Sequence, residues 1–225
     1  MVVRGTELEN WWREGRYQPY PDAIMVGLIV DIKSIVPGYV RISRVLRDIP
    51  SKFIVAGLKD SLRDIVREKM KKDGIACRCI RCREYGHRAR DGWTIGEPRL
   101  VRTEYTAADG KEIFLSYEDE RGTLFGILRM RVQSRPVPVL GGPGGNHAVI
   151  RELHVFGPEV PLSEKRDEAA QHKGLGKALL WEAERIARDE FKAGQMVVLS
   201  GTGAKEYYRE FGYRPSGDYM VKTLK

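Results

Sequence analysis

The order in which the hydrophobic rhythm changes along this chain constrains its fold more than any single motif. Beyond Gly96 three runs rich in aliphatic, aromatic and β-branched residues and bounded by turn residues read as strands: Leu100 to Ala107, Lys111 to Tyr117 and Thr123 to Val132. Asp109-Gly110 and the segment Asp119 to Gly122 separate them as turns. A Gly- and Pro-rich loop, Ser134 to Asn146, precedes a fourth strand at Val149 to Phe156, and a second loop covers Gly157 to Ala170. A long helix then spans about Gly174 to Phe191, with Leu175, Leu179, Leu180, Ala183, Ile186 and Ala187 on one stripe. Met196 to Leu199 reads as a short buried strand, Ala204 to Phe211 as a short helix and Tyr219 to Leu224 as a closing strand. The order β-β-β-β-α-β-α-β predicts an α/β fold, a mixed sheet packed with helices and not a uniform βαβ series.

The first 75 residues have a different rhythm. A helix is expected from Ala23 to Val36, between Pro21-Asp22 and the stop Pro37-Gly38, and a second from about Leu58 to Lys72, ended by Asp73-Gly74. Tyr39 to Leu46 alternates apolar and basic residues, as a strand with one charged face would. Two helices and one or two strands make a thin core, and the abrupt start leads us to expect the carboxyl-terminal part of a longer protein.

No apolar run approaches the roughly 20 residues of a membrane span, and the amino terminus lacks the apolar core of a signal peptide. A cytoplasmic protein with no membrane partner is expected. The net charge of +8 is unevenly placed. From Arg41 to Arg102 there are 17 Lys or Arg against 8 Asp or Glu, a local balance of +9 that leaves the rest of the chain slightly acidic. A basic block of this kind suits a polyanion, nucleic acid first; a solvated basic face is the plain alternative.

All three cysteines, Cys77, Cys79 and Cys82, fall within six residues. An odd count at this spacing is a poor disulfide framework and a better metal site. Zinc takes four ligands in a structural site, and His87, five residues after Cys82, is the natural fourth. A reactive thiol cluster and plainly buried cysteines remain the alternatives. The flanking Arg78, Arg81, Arg83, Arg88 and Arg90 offset thiolate charge, or form part of an RNA surface.

Ahead of the long helix stands Gln171-His172-Lys173-Gly174-Leu175-Gly176. Glycines allow close approach of a ligand, and the unpaired N–H groups and dipole of the helix start form an anion site suited to a pyrophosphate. Lys173 and Lys177 add charge, while neither GxxxxGK[ST] nor GxGxxG is present here. Glycines needed for packing alone are the competing explanation.

These elements together carry a family likeness. Arg151-Glu152-Leu153-His154-Val155, then Gln171-x-x-Gly174-x-Gly176 followed by Ala178-Leu179-Leu180, then Tyr207-Tyr208-Arg209-Glu210-Phe211-Gly212-Tyr213, resemble the Gcn5-related N-acetyltransferase family. The resemblance implies acetyl-CoA as cofactor, with its pyrophosphate at the glycine loop and its pantetheine arm in a splay beside the preceding strand. Upstream, the stretches RGTELENWWREGRYQPY, YVRISRVLRDIPS and CRCIRCRE, with RELHVFG, resemble the carboxyl-terminal half of the Elongator catalytic-subunit family. That family joins a radical-SAM barrel to an acetyltransferase domain and builds the carboxymethyl-type group at C5 of the wobble uridine of tRNA.

The likeness implies three parts: the end of a radical-SAM barrel over 1–75, a zinc-bearing junction over 76–96 and an acetyltransferase domain over 97–225. It leaves open accessory subunits or a self-dimer. The CxCxxC of 77–82 is not the CxxxCxxC of a radical-SAM iron–sulfur motif. The iron–sulfur cluster and S-adenosylmethionine are therefore expected only in a full-length protein, and this chain is not expected to complete uridine modification.

Site roles follow partly from this likeness and partly from the residues themselves. Tyr208 matches the position whose phenol protonates the CoA thiolate, with Tyr207 beside it as a packing or cofactor contact. Glu152 is a general base, or positions substrate or water. The backbone of Leu153, His154 and Val155 meets the pantetheine amides. His154 itself is read first as a structural hydrogen-bonding group. Cofactor contacts also come from Gln171, His172, Lys173, Gly174, Leu175, Gly176 and Lys177, with His172 touching RNA or sealing the cofactor site. No chemistry is assigned to His147. The acetyltransferase part is expected to bind and hydrolyse acetyl-CoA beside a tRNA-facing basic surface; a lysine or small-molecule N-acetyltransferase and a noncatalytic RNA-binding module are the rival readings.

Overall fold

A computed structural model describes residues 1–46, 49–133, 147–157 and 174–225. It divides into two compact units, Met1–Cys82 and Arg83–Lys225. Gln171, His172 and Lys173, and the loops expected over 134–146 and 157–170, lie wholly or almost wholly outside the described residues. No helix among the described residues is long and apolar enough to cross a membrane.

In the first unit, β1 (Val2–Val3) pairs antiparallel with β2 (Ile54–Ala56). Helix α1 (Glu7–Arg13) follows β1, and α2 (Asp22–Ile35) packs with α3 (Leu62–Lys72). Their core is Val30, Leu62, Val66 and Met70, the last three at the i, i+4, i+8 spacing of one helix face. Helix α3 begins later than the expected Leu58 because Ser61 takes an extended conformation at its amino end. It stops at Asp73-Gly74, where Gly74 takes a φ of 68° that favours glycine. The strand expected over Tyr39 to Leu46 is absent among the described residues there. The Val40 carbonyl accepts a bond from the Ile80 amide, and Val45 and Leu46 pack against the helix core. Alternation here reflects half-burial of an irregular segment, not ladder pairing.

The second unit opens with α4 (Ile80–Arg83), shared in sequence with the first, and α5 (Tyr85–Arg90). Then come β3 (Arg99–Ala107), β4 (Gly110–Glu118), β5 (Leu124–Val132) and β6 (His147–Val155). Helix α6 (Leu175–Arg185) continues through one wide turn, Ile186–Glu190, to β7 (Gln195–Val198). Helix α7 (Lys205–Glu210), β8 (Arg214–Ser216) and β9 (Tyr219–Thr223) end the unit. The sheet order is β3-β4-β5-β6-β7-β9-β8, antiparallel throughout except for the parallel pair β6–β7. This is the expected mixed α/β sheet.

Two local devices shape it. Ala108 and Asp109, with φ of 43° and 60°, form a two-residue hairpin between Ala107 and Gly110, so the turn lies one residue earlier than expected. Arg129 opposes Glu152 while Met130 opposes Ile150, which leaves Arg151 as an extra residue bulged from β6. The bulge puts Ile150 and Leu153, three residues apart, on the helix-covered face of the sheet. Helix α6 covers β4, β5 and β6, burying Leu179, Leu180, Ala183 and Ile186 against Ile113, Leu128 and Met130.

Candidate functional site

Strand β6 pairs with β7 only from His147 to Ile150, where Ile150 meets Val198, the last residue of β7. The remainder of β6, through Val155, has no neighbour on that side among the described residues. The sheet therefore splays, and the amino terminus of α6 and the face of α7 close the gap into a cleft of about 470 Å³. Leu153 and Val155 form one wall, Gly174, Gly176 and Lys177 the helix end, and Tyr207 and Tyr208 the other side.

Each wall has a local cause. Gly174 precedes α6 with a φ of 95°, a left-handed conformation that side-chain-bearing residues rarely take, and no side chain among the described residues caps the helix. The N–H groups of the first turn are thus left for a ligand. Gly176 has a different job: a Cβ there would lie 2.9 Å from Tyr207 Oη and 3.4 Å from Val155 Cγ2. The missing side chain lets Tyr207 reach across the cleft mouth. Lys177 Nζ sits 4.3 Å over the half-exposed ring of Trp181, which holds the ammonium beside the helix end.

Tyr208 is buried against the sheet, its ring edge-on to Tyr207 at 5.3 Å and to Tyr213 at 5.6 Å. Tyr213 donates to Glu184 Oε1 at 2.9 Å, and Lys222 pairs with Glu184 Oε2 at 2.6 Å, so a fixed polar network backs the ring. Burial, then the neighbouring Tyr207, push the Tyr208 phenol up to about 12. Burial and Glu210 raise Tyr207 as well. Both phenols keep their protons at neutral pH, and no hydrogen bond engages Tyr208 Oη among the described residues. Both tyrosines line the cleft.

Glu152 points to the other face of β6, 3.6 Å from Arg129 Nε, and Arg129 in turn lies over the Phe114 ring at 5.2 Å. His154 is exposed with its ring 4.6 Å from Phe156. His147 is buried. Sequence reading overlooked Glu112, which is 1% exposed and whose Oε1 accepts from the bulged Arg151 at 2.7 Å and from Arg131 at 3.1 Å. Its signal was an acid set directly before the apolar run Ile113 to Leu115 of β4.

In the first unit the Sγ atoms of Cys77, Cys79 and Cys82 all lie within 4.8 Å of one another. Tetrahedral zinc thiolate ligands stand about 3.8 Å apart for a bond near 2.3 Å, so this donor set fits a small soft divalent cation after a slight contraction. Hydrogen bonds from Cys77 and Cys82 pull the Cys79 thiol down, and the same crowding, led by Cys77, pushes Cys82 up. Lys33, a residue sequence reading did not single out, is buried with Nζ 3.5 Å from Cys82 Sγ. Burial works against its charge, yet the thiolates, Cys82 foremost, raise it overall. His87 belongs to the second unit, with Nδ1 2.8 Å from Arg90 Nη2 and Nε2 3.5 Å from Glu84 Oε2.

The Radical_SAM C-terminal domain family matches residues 1–72, and the Acetyltransferase (GNAT) family matches residues 76–213. The tRNA uridine(34) acetyltransferase of Dehalococcoides mccartyi is 59% identical over 225 residues, covering 100% of this chain and 49% of that protein. Elongator complex protein 3 of Mus musculus is 43% identical over 232 residues, covering 100% of this chain and 42% of that protein. The solved structure of the archaeal Methanocaldococcus infernus Elp3 with an N-terminal deletion superposes with a TM-score of 0.87 at 41% identity, covering 100% of this chain and 54% of that one. The chain spans about half the length of the curated relatives it matches.

Proposed function

This chain belongs to the Acetyltransferase (GNAT) family, and on that premise we propose that its cleft binds acetyl-CoA and releases CoA from it as part of tRNA wobble-uridine-34 C5 modification. The observation that carries this reading is the splay beyond Ile150 and Val198, which opens onto the uncapped amino end of α6 with Tyr208 at its side. The unpaired first-turn N–H groups and Lys177 bind the pyrophosphate, and Gln171, His172 and Lys173 complete the loop. The free edge of β6, through the backbone of Leu153, His154 and Val155, hydrogen-bonds the pantetheine amides as a missing strand would.

Hydrolysis adds water to the thioester carbonyl, breaks the C–S bond and sends a proton to the departing sulfur. Tyr208 is the donor at that sulfur. Its raised pKa keeps it protonated in the resting cleft and suits it to a hydrogen bond that strengthens as negative charge builds on sulfur. Tyr207, brought across by Gly176, seals the cofactor from bulk water. Glu152, held by Arg129, orients the water or the acceptor from the opposite face of β6.

Cys77, Cys79 and Cys82, with His87 as fourth ligand, hold zinc, which would be closed and nonredox and would stiffen the junction over 76–96 between a barrel remnant over 1–75 and the transferase part over 97–225. tRNA is the polyanion met by the basic stretch Arg41 to Arg102, with accessory subunits or a second copy as further partners. The iron–sulfur cluster and S-adenosylmethionine belong to a longer protein, since this chain has no CxxxCxxC motif. The test is release of free CoA thiol from acetyl-CoA by the purified chain with deacylated tRNA. Release that is abolished by Tyr208→Phe supports the reading; transfer to an added amine without RNA would favour an N-acetyltransferase instead.

A further inference from the structure

Helix α2 distributes its side chains against expectation. Ile24, Leu28, Ile32 and Ile35 are exposed, while Lys33 shares the core-facing side with Ile29 and Val30 and is only 4% exposed. Taking an ammonium out of water is unfavourable unless an opposite charge meets it. No carboxylate among the described residues does so. The acceptor within reach is Cys82 Sγ, 3.5 Å from Nζ, in a cluster whose three Sγ atoms lie within 4.8 Å of one another. Burying an amine against sulfur here, with aliphatic residues left in solvent on the same helix, is costly unless the sulfur carries charge.

The charge count says how much is needed. A divalent cation with three thiolates has a net charge of −1, and a neutral fourth ligand, imidazole or water, leaves that unchanged. One buried ammonium brings the site to zero. We propose that Lys33 is a positioning residue of the metal site: it donates an N–H···S hydrogen bond to the Cys82 thiolate and neutralises the excess charge of a tris-thiolate divalent centre. It thereby sets the metal affinity and limits how much electron density Cys82 gives to the metal. This rests on the reading that the three cysteines hold a metal.

The test uses the full chain loaded with zinc, and separately with cobalt(II) as a spectroscopic substitute. Zinc affinity is read by competition with a chromogenic chelator, and Cys82–metal bonding by the thiolate-to-cobalt charge-transfer bands. Lys33→Met fills similar space without charge or donor and relieves the burial of an ammonium, so the fold is expected to hold. Lys33→Arg keeps both charge and donor. Val30→Ala loosens the same helix without touching charge.

Lys33→Met is expected to weaken zinc binding about 10- to 100-fold, as loss of an outer-sphere partner does. It is also expected to move the charge-transfer bands to lower energy, while Lys33→Arg restores most of both and Val30→Ala leaves the bands in place. Unchanged affinity and bands in Lys33→Met would overturn the proposal, as would equal losses in Lys33→Met and Lys33→Arg or a band shift in Val30→Ala. A wild-type chain that takes up neither metal would defeat the underlying metal reading as well; a wild-type chain that loads normally beside an indifferent Lys33→Met defeats this inference alone.

Discussion

Tyr208 concentrates most of what can be tested one side chain at a time. Replacing it by Phe removes only the hydroxyl, so acetyl-CoA binding is expected to persist while CoA release falls by about 10²–10⁴-fold, the usual worth of a positioned proton donor. Equal losses of binding and release would instead mark the ring as a packing element. Its titration gives an independent check. The folded pKa of about 12 exceeds the unfolded value, near 10, so the folded state holds this proton longer. The contribution is complete below pH 10 and is lost as pH rises through 12. Unfolding midpoints should therefore drop across that window by on the order of 2–3 kcal/mol of stability, and less so in Tyr208→Phe. Gly176→Ala is expected to leave the melting temperature nearly unchanged, because the crowded atom is the flexible Tyr207 hydroxyl, yet to weaken acetyl-CoA binding measurably by calorimetry. The cysteine cluster and the glycine ahead of α6 stood out by spacing, and Tyr208 only through the family likeness. Lys33 did not stand out, because a lysine in a helix so rich in apolar residues does not mark a buried side, and the structure buries it while exposing Ile24, Leu28, Ile32 and Ile35.

At the scale of elements, apolar runs bounded by turn residues recovered β4 to β6 and α6, which bury much of their surface, to within a few residues, and with them β3, which pairs with β4 though none of its residues is fully buried. The reading failed where no ladder forms. Tyr39 to Leu46 alternates as a strand does, but no partner ladder exists for it among the described residues. The bulge at Arg151 was also invisible, since an inserted residue changes register without changing composition. That bulge is fastened by Glu112, buried between Arg151 and Arg131. Glu112→Ala would leave Arg131, largely buried, without its carboxylate, at a cost of about 2–4 kcal/mol in a denaturant titration. Glu112→Gln, which keeps an acceptor oxygen, should lose less. If both variants unfold like the parent protein, the bulge is held by the sheet ladder alone. Because β6 carries the free edge of the cleft, the Glu112→Ala loss should be accompanied by weaker acetyl-CoA binding.

Across the whole chain, two family models match successive stretches, residues 1–72 and 76–213. The basic stretch from Arg41 to Arg102 straddles their boundary in sequence, and the cleft lies entirely within the second. Composition could announce a polyanionic partner but not its identity, because phosphate contacts carry affinity with little sequence information. With no CxxxCxxC motif in its sequence, the chain is expected to bind no iron–sulfur cluster after anaerobic reconstitution and to leave S-adenosylmethionine uncleaved. In the function proposed above, the splayed edge of β6 and the open end of α6 form an acetyl-CoA site that answers to tRNA. The most direct measurement is a titration of acetyl-CoA into the purified chain, with free CoA thiol followed in the presence and absence of deacylated tRNA. Saturable binding to one site, with CoA release accelerated by tRNA, is the predicted result; no binding and no release even with tRNA present would contradict it.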